Sequence, residues 1–287
     1  MKIELKNVDY IYNQGLPNEV YALKDINLTI NSHEVIGLIG KTGSGKSTLV
    51  QLLNGLIIPT GGDCIIDGIN SKDKNKRREA RFKVGLVFQY PEHQLFEESV
   101  AKDIAFGPQN MGLSEDEVDK AVRKAMAKVG LDYETYKDLS PFELSGGQQR
   151  RAAVAGILSM NPKVLVLDEL TAGLDPVGRS EIFDEILSLY KEDDELSIVL
   201  VSHSMEDVAE YVERVIVMSD GEVFSDRSTY DTFTKVDLES ISLDVPQITK
   251  FMREYKLKNP RVNDDIYTVS SAVEELKRVL REDNGRY

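Results

Sequence analysis

The segment at residues 40–47 constrains the fold of this chain more than any other part of the sequence. It fits the pattern G-x-x-x-x-G-K-[ST] in full, and it lies between the apolar run 35–39 and the helix-forming run 48–56. Its glycines let backbone N–H groups turn toward phosphate oxygens, and the N-terminus of the following helix adds positive potential. We therefore predict a strand, a phosphate-binding loop and a helix in this order. The predicted contacts are Gly40, Lys41, Thr42, Gly43, Ser44, Gly45, Lys46, Ser47 and Thr48.

Two side chains of this loop suit a nucleoside triphosphate bound with magnesium. Lys46 is placed to reach the β- and γ-phosphates, and Ser47 offers a hydroxyl to Mg²⁺. The alternative is a glycine-rich turn that fits the pattern by chance, which would leave the flanking strand and helix unexplained. We expect ATP and Mg²⁺ as the ligands.

Four short, continuous apolar runs predict the core of the fold. Runs of this length, separated by helical segments, are typical of parallel strands that are buried on both faces. The expected fold class is therefore α/β, a P-loop NTPase core with a mostly parallel sheet. The runs are residues 35–39, 84–88, 164–167 and 198–201.

Three other regions complete the predicted organisation. Residues 3–8 alternate apolar and polar positions, and the Asp-Gly pair at 67–68 signals a hairpin, so we predict an N-terminal antiparallel β subdomain. Strand signals stop between residues 90 and 160, where a capping box at 114–117 opens a helix, so we expect an inserted helical subdomain. The predicted domains are 1–227, with the helical subdomain at about 90–160, and a C-terminal helical region for subunit contact at 228–287.

A phosphate loop also needs a carboxylate at the end of a neighbouring strand. Asp168 and Glu169 follow directly after the apolar run 164–167. Asp168 is expected to hold the magnesium shell, and Glu169 is expected to polarise the attacking water as a general base. The alternative is a buried strand that ends in two solvated acids, which the presence of a phosphate loop disfavours.

The sequence Leu-Ser-Gly-Gly-Gln at 144–148 lies at the start of a predicted helix. The free N–H groups and the dipole of a helix N-terminus form a second anion site. Because this site falls in the inserted helical subdomain, we expect it to contact the nucleotide of a partner subunit. The alternative is a plain helix N-cap. The predicted contacts are Ser145, Gly146, Gly147 and Gln148.

Charge and apolar content exclude several classes of function. A formal net charge of -14 gives no general attraction for nucleic acid, and it favours a basic partner. The single cysteine excludes an intramolecular disulfide. The longest apolar runs fall well short of the roughly 20 residues that a membrane-spanning helix needs. We expect a cytosolic chain that reaches a membrane only through partner subunits.

From about residue 3 to residue 227 the chain resembles the ATP-binding cassette (ABC) ATPases, in the order of its motifs as well as in their residues. The resemblance implies hydrolysis of ATP by a dimer of ATPase subunits. Each nucleotide would lie between the phosphate loop of one subunit and residues 145–148 of the other. Glu169 takes the place of that family's catalytic glutamate.

The same resemblance implies roles for four further residues. Tyr12 takes the place of the adenine-stacking aromatic residue, with Tyr10 as the competing candidate. Gln89 resembles the glutamine that binds Mg²⁺ and senses the γ-phosphate, and His203 resembles the catalytic histidine that contacts this phosphate. Asp175 resembles the aspartate that reaches across to the other subunit.

One residue departs from the family pattern. The family usually has proline after the catalytic glutamate, whereas this chain has Leu170 after Glu169. Proline would fix the backbone angle φ at this position. We predict that activity survives with leucine.

Two stretches, residues 88–98 and 102–108, closely resemble the ATPases of energy-coupling factor (ECF) transporters, and so does Pro-Phe-Glu at 141–143. The helix at 150–156 is more similar to the second of the two paralogous ATPases of that family. This resemblance implies uptake of a vitamin or a transition-metal ion. The alternative is that these residues only pack the helical subdomain.

Several partners follow from the ECF resemblance. They are a second ATPase, in a heterodimer or else a homodimer, a transmembrane coupling subunit, and a small substrate-binding membrane subunit. The chain is expected at the cytoplasmic face of the membrane, attached through these subunits. Two other functions stay open: the ATPase of a conventional ABC importer, and a soluble ABC ATPase with no role in transport.

Overall fold

The computed structural model describes residues 1–284, with side chains through residue 281. Residues 285–287 of the predicted C-terminal region lie outside the described residues. The strands form a four-stranded and a six-stranded sheet. The strands are β1 (Ile3–Tyr12), β2 (Val20–Ile30), β3 (Val35–Gly40), β4 (Gly61–Ile66), β5 (Ile69–Asn70), β6 (Val84–Val87), β7 (Val164–Asp168), β8 (Ser197–Val201), β9 (Arg214–Ser219) and β10 (Glu222–Ser228).

Helices separate the parallel strands, and a group of them fills the segment between β6 and β7. They are α1 (Lys46–Leu53), α2 (Arg77–Phe82), α3 (Val100–Met111), α4 (Glu115–Lys128), α5 (Tyr133–Tyr136), α6 (Gly146–Leu158), α7 (Pro176–Glu192), α8 (Met205–Tyr211), α9 (Thr229–Lys235), α10 (Gln247–Lys258) and α11 (Val269–Asn284). Short 3-10 turns lie at Pro91–Gln94, Pro141–Glu143 and Glu239–Ile241.

The six-stranded sheet carries the core of the fold. Its strand order is β10-β9-β3-β8-β7-β6, and every pair is parallel except β10 with β9. All residues of β3, β6 and β8 are buried, as expected for strands that are covered on both faces. The predicted α/β P-loop fold with a mostly parallel sheet is confirmed.

Two predicted boundaries differ from the structure. Strand β6 ends at Val87, and Phe88 leaves the sheet with an exposed ring. Helix α1 ends at Leu53 rather than at Leu56, because Gly55 adopts a left-handed φ of +69° that stops the helix.

The four-stranded sheet is antiparallel and has the order β2-β1-β4-β5. Strand β1 pairs with β2 on one side and with β4 on the other, and β4 turns into β5 at Asp67 and Gly68. One apolar cluster joins this sheet to α1 and to β3 through buried residues such as Leu5, Leu52 and Leu38. The predicted N-terminal antiparallel subdomain therefore packs against the helix that follows the phosphate loop.

The insert between β6 and β7 consists of helices α3 to α6 and two 3-10 turns. Ser114 and Glu117 form the predicted capping box at the start of α4. Val118, Val122 and Ala125 on this helix are buried in the main apolar cluster. The helical character of this segment agrees with the sequence, while the domain boundaries themselves stay a prediction.

The C-terminal helices pack into two different apolar clusters. Phe233 of α9 is fully buried in the main apolar cluster, so α9 is anchored to the ATPase core. Beyond it, Met252 of α10 and Val279 of α11 share a separate small apolar cluster. Val273 and Leu280 of α11 are exposed, and the predicted contact of this region with another subunit stays a prediction.

Candidate nucleotide-binding and catalytic site

Three groups of predicted site residues lie at the carboxyl ends of strands in the six-stranded sheet. Strands β3, β7 and β8 are parallel neighbours, so the residues that follow each of them meet at the same edge. This arrangement brings together the loop at 40–47, the Asp168–Glu169 pair and His203. Residues far apart in the sequence thus form one polar cluster at the carboxyl ends of the strands.

Lys46 is the cation of this cluster. Its Nζ donates hydrogen bonds to the carbonyl oxygens of Gly40 at 2.5 Å and Lys41 at 3.0 Å. Lys46 is only 7% exposed, and burial lowers its pKa, while the carboxylates of Glu169 and Asp168 act in the opposite direction. A buried ammonium at the head of α1 is well placed to bind phosphate oxygens.

The backbone of the loop is shaped for a phosphate group. Gly45 has φ of +102°, and a Cβ at this position would lie 2.7 Å from the carbonyl oxygen of Ala22. Gly43 also has a left-handed φ, +81°, with open space where a side chain would stand. The Oγ of Ser44 is buried and has no hydrogen-bond partner among the described residues. The loop therefore has open space beside Gly43 and an unused hydroxyl, which fits a phosphate.

Asp168 ends strand β7 in a partly buried position. Burial raises its pKa and the charge of Glu169 raises it further, whereas Lys46 and His203 act to lower it. Two neighbouring carboxylates that repel each other are stabilised by a divalent cation. The electrostatics of Asp168 therefore suit a metal-binding role.

The oxygen ligands available here suit magnesium. Within residues 1–284 there is no group of three or more His, Cys, Asp or Glu side chains that could hold a metal by itself. Mg²⁺ binds few protein ligands and usually completes its shell with phosphate oxygens and water. The predicted ligands Ser47, Gln89 and Asp168 supply a hydroxyl, an amide and a carboxylate, which fits that requirement. The exposed Gln89 lies two residues beyond the end of β6.

Glu169 and His203 are in direct contact. The Oε1 atom of Glu169 lies 2.8 Å from Nε2 of His203. The amide of Glu169 donates to the carbonyl oxygen of Val201 at 3.0 Å, which ties it to the neighbouring strand. Glu169 adopts a left-handed φ of +51°, a conformation that costs about 1–3 kcal/mol for a residue other than glycine. Such strain is typical of functional sites.

Leu170 is 1% exposed and packs into the main apolar cluster. Proline in its place would restrict the backbone of Glu169, which already has a left-handed φ, and would lose apolar contacts. We expect Leu170→Pro to leave kcat no higher than that of the wild type and to lower the melting temperature, measured by phosphate release and calorimetry. A strong rise in kcat at unchanged ATP affinity would show that leucine impairs the site.

Tyr12 is the better placed of the two adenine-stacking candidates. It ends strand β1, its ring is half-exposed, and its hydroxyl lies 3.3 Å from Oγ1 of Thr48 in α1. Tyr10 packs edge-on against Tyr12, with ring centroids 4.8 Å apart, and against the apolar cluster. Tyr12 therefore presents an accessible ring beside the phosphate loop, although its role stays a prediction.

The Leu-Ser-Gly-Gly-Gln segment caps helix α6. Gln148 N–H donates to Ser145 Oγ at 3.4 Å, and Ser145 N–H donates to Oε1 of Gln148 at 2.9 Å. Gly146 and Gly147 are exposed, with open space around their Cα atoms. In the described part of the chain no hydrogen bond or ion pair joins residues 145–148 to the loop at 40–47. This helix N-terminus is open to a ligand from outside the chain.

Asp175 caps helix α7 and is exposed. Its Oδ1 accepts a hydrogen bond from the amide of Gly178 at 2.8 Å. The neighbouring Val177 is also exposed, so this end of α7 presents both a carboxylate and an apolar side chain. The predicted contact of Asp175 with another subunit stays a prediction.

Two residues of the site have no predicted role from the sequence. Glu92 and Arg150 form a largely buried ion pair, with Nε and Oε2 3.2 Å apart. Glu92 follows Gln89 by three residues, and Arg150 follows Gln148 by two. Their proximity to predicted site residues was a usable signal, but no local pattern indicated that they pair.

Comparisons with known proteins agree with this geometry. The ABC transporter family profile matches residues 23–172. The energy-coupling factor transporter ATP-binding protein EcfA2 of Clostridium perfringens strain 13 is 53% identical over 286 residues, covering 99% of this chain and 100% of that protein. The protein of the same description from Clostridium tetani is 53% identical over 282 residues, 98% of each chain.

Solved structures that match this fold are also ABC transporter ATPases. The structure of cbiO1 from Clostridium perfringens, part of the ABC transporter complex cbiONQ, matches with a TM-score of 0.72 at 36% identity, over 90% of this chain and 96% of that one. A dimeric ABC cassette in a post-hydrolysis state, bound to ADP and phosphate, matches with a TM-score of 0.68 at 32% identity, over 79% and 98% of the chains.

The phosphate loop, the paired carboxylates and the Leu-Ser-Gly-Gly-Gln helix, on this fold, define an ABC-type ATPase. The chain belongs to the ABC transporter family. Within that family it belongs to the energy-coupling factor transporter ATP-binding proteins. The family predicted from the sequence is thereby confirmed, while the roles of single residues stay predictions.

Proposed function

We propose that this chain binds and hydrolyses ATP as one ATPase subunit of an ECF-type importer for a vitamin or a transition-metal ion. The observation that carries the catalytic part is the 2.8 Å contact between Glu169 and His203, which lies beside the phosphate loop at the sheet edge. Glu169 polarises the attacking water as a general base. His203 holds the carboxylate in place and contacts the γ-phosphate.

The nucleotide and metal contacts follow from the positions of the loop residues. The loop amides and Lys46 bind the phosphates, and Tyr12 stacks on the adenine. Ser47, Gln89 and Asp168 would hold Mg²⁺, whose charge stabilises the transferred phosphoryl group. Proton transfer to Glu169 depends on this chain's own geometry, namely the strained backbone of Glu169 and its bond to His203.

The second half of each nucleotide site comes from another ATPase subunit. Helix α6 has an exposed N-terminus with two glycines, and Asp175 is exposed at the start of α7. These features support a dimer in which residues 145–148 bind the partner's nucleotide. We propose a heterodimer with a second ECF-type ATPase, with a homodimer as the alternative.

A groove on the surface supports the proposed coupling subunit. It has a volume of about 800 Å³ and lies between α2, α3, α6 and the segment that follows β6. Phe88, Phe96 and Phe106 line it with exposed aromatic rings. An exposed apolar groove of this kind accepts the apolar face of a helix. We propose that a helix of the transmembrane coupling subunit binds here. Gln89 directly follows Phe88 of the groove, so a movement of Gln89 reaches the docked helix.

The wall of this groove differs in charge from the chain as a whole. Its lining includes four basic side chains and one carboxylate, namely Lys74, Arg77, Arg78, Arg81 and Asp103. Asp103 already accepts hydrogen bonds from two backbone amides. The net charge of -14 suggested a basic partner, but the groove itself favours carboxylates or helix carbonyl ends next to apolar side chains.

We expect Phe106→Asp to abolish co-purification with the coupling subunit, because a carboxylate in the groove cannot pack against an apolar helix face. Pull-down of the co-expressed complex measures this. Phe224→Asp on β10 is a matched control, since Phe224 is 45% exposed and Phe106 is 47% exposed. Intact assembly of the Phe106→Asp variant would contradict docking in the groove.

Co-purification from membranes tests the proposed assembly. In residues 1–284 no helix is long and apolar enough to cross a membrane, so we propose peripheral attachment at the cytoplasmic face through the partner subunits. Recovery with a second ATPase and two membrane proteins supports the ECF importer. Recovery with a conventional permease and no separate small substrate-binding membrane subunit favours the alternative, the ATPase of a conventional ABC importer. Association with ribosomes or DNA instead would reject a role in transport.

A further inference from the structure

Arg150 on α6 holds a buried positive charge beside the nucleotide site. The residue is 6% exposed and lies two residues beyond the Leu-Ser-Gly-Gly-Gln segment. A buried guanidinium is stable only where acceptors surround it. Its bonding partners therefore show which parts of the fold it connects.

The guanidinium bridges two other segments. Its Nε donates to Oε2 of Glu92 at 3.2 Å, and Nη2 donates to Oε1 of Glu92 at 3.3 Å. Nη2 also lies 3.5 Å from the carbonyl oxygen of Ala172. Nη1 is buried without a partner among the described residues. A bidentate pair fixes the direction of the guanidinium as well as its position.

The two segments belong to different parts of the site. Glu92 lies in the 3-10 turn Pro91–Gln94, between Gln89 and the wall of the apolar groove. Ala172 lies in the loop after β7, and its amide donates to the carbonyl oxygen of Glu169 at 3.0 Å. Arg150 thus connects the edge of the groove to the turn that positions the proposed general base.

We propose that Arg150 is a positioning residue that couples occupation of the groove to the alignment of Glu169. A docked helix presses on the turn that carries Glu92, and the bidentate pair transmits that shift through Arg150 to Ala172. Because Glu169 has a strained backbone, a small displacement of its loop changes the direction of the carboxylate. The inference rests on the proposed function, since it takes the groove as the docking site.

Arg150→Lys tests this role while keeping the charge. Lysine cannot form the planar two-pronged bond to Glu92 and reach Ala172 as well. In the assembled transporter in liposomes we expect kcat for ATP hydrolysis to fall about 10-fold, the loss expected for one hydrogen bond to a charged group, with KM for ATP unchanged. The ratio of hydrolysis with the membrane subunits to hydrolysis without them also falls. Substrate uptake falls with it.

Two further variants sharpen the experiment. Glu92→Gln should reproduce the loss. The double variant should be no more impaired than the more impaired of the two single variants, because both changes remove the same link. Arg151→Lys is the matched control, since Arg151 lies next in the same helix and pairs with Glu185 at 2.7 Å instead. We expect it to retain the wild-type ratio. Melting temperatures show whether each variant is folded.

The outcomes separate this role from a structural one. A wild-type ratio for Arg150→Lys, or an equal loss with and without the membrane subunits, overturns the coupling role. A wild-type complex that does not assemble rejects groove docking, and the inference with it. If the wild-type complex transports its substrate and the Arg150→Lys variant behaves like the wild type, only the inference is rejected.

Discussion

Glu169→Gln is expected to lower the turnover of ATP at least about 100-fold, the usual contribution of a general base. Glutamine has nearly the same size, and its Oε1 can still accept a hydrogen bond from His203 Nε2–H, so the geometry of the site is kept. Only the ability to take a proton is lost. ATP binding should persist, and the variant should accumulate as an ATP-bound dimer of ATPase subunits.

Phosphate release and size-exclusion chromatography with ATP and Mg²⁺ measure the two effects. Glu195→Gln is the matched control, because Glu195 pairs with Lys163 on an exposed surface at 2.7 Å and lies outside the site. It should hydrolyse ATP at the wild-type rate. Normal turnover in Glu169→Gln would remove Glu169 from its catalytic role.

The parts of this site that the sequence predicted are those encoded in short, contiguous segments. The phosphate loop depends on glycines within eight positions, and the buried strands on runs of apolar residues. The capping box at Ser114 depends on Glu117, three positions further on. Each of these features is set by neighbours in the chain, so composition and spacing were sufficient.

The missed parts depend on contacts between distant segments. Glu92 and Arg150 are 58 positions apart and meet only because α6 packs against the 3-10 turn. Glu169 has a left-handed φ, and its amide bonds to Val201 in the neighbouring strand, a contact that forms only in the folded chain. Neither effect leaves a local signal.

The prediction of a basic partner from net charge did not fit the charge of the groove, for a different reason. Residues 72–83 are rich in lysine and arginine. A net charge of -14 for the whole chain does not show this local cluster. Electrostatic attraction at a protein surface falls off over about 8–10 Å, so a local cluster decides what a groove binds. Charge should therefore be assessed for each surface rather than for the chain.

Ser145→Arg is expected to abolish hydrolysis while leaving the binding of ATP to the variant's own phosphate loop near normal. Ser145 lies at the exposed N-terminus of α6, and in the described residues it makes no bond to the loop at 40–47. An arginine there blocks the approach of the partner's nucleotide. Phosphate release and titration with a fluorescent ATP analogue measure the two properties. Loss of ATP binding would show that the geometry across subunits is wrong.

A second variant separates this steric block from damage to the helix. Ser145→Ala removes the capping hydroxyl, which costs about 0.5–2 kcal/mol of stability, but adds no bulk. It should hydrolyse ATP far better than Ser145→Arg. If the chain pairs with itself, mixing Ser145→Arg with Lys46→Ala leaves one complete site in each mixed dimer, because both defects fall on the other site. Hydrolysis above that of either variant alone is then expected, and its absence would favour pairing with a different ATPase subunit.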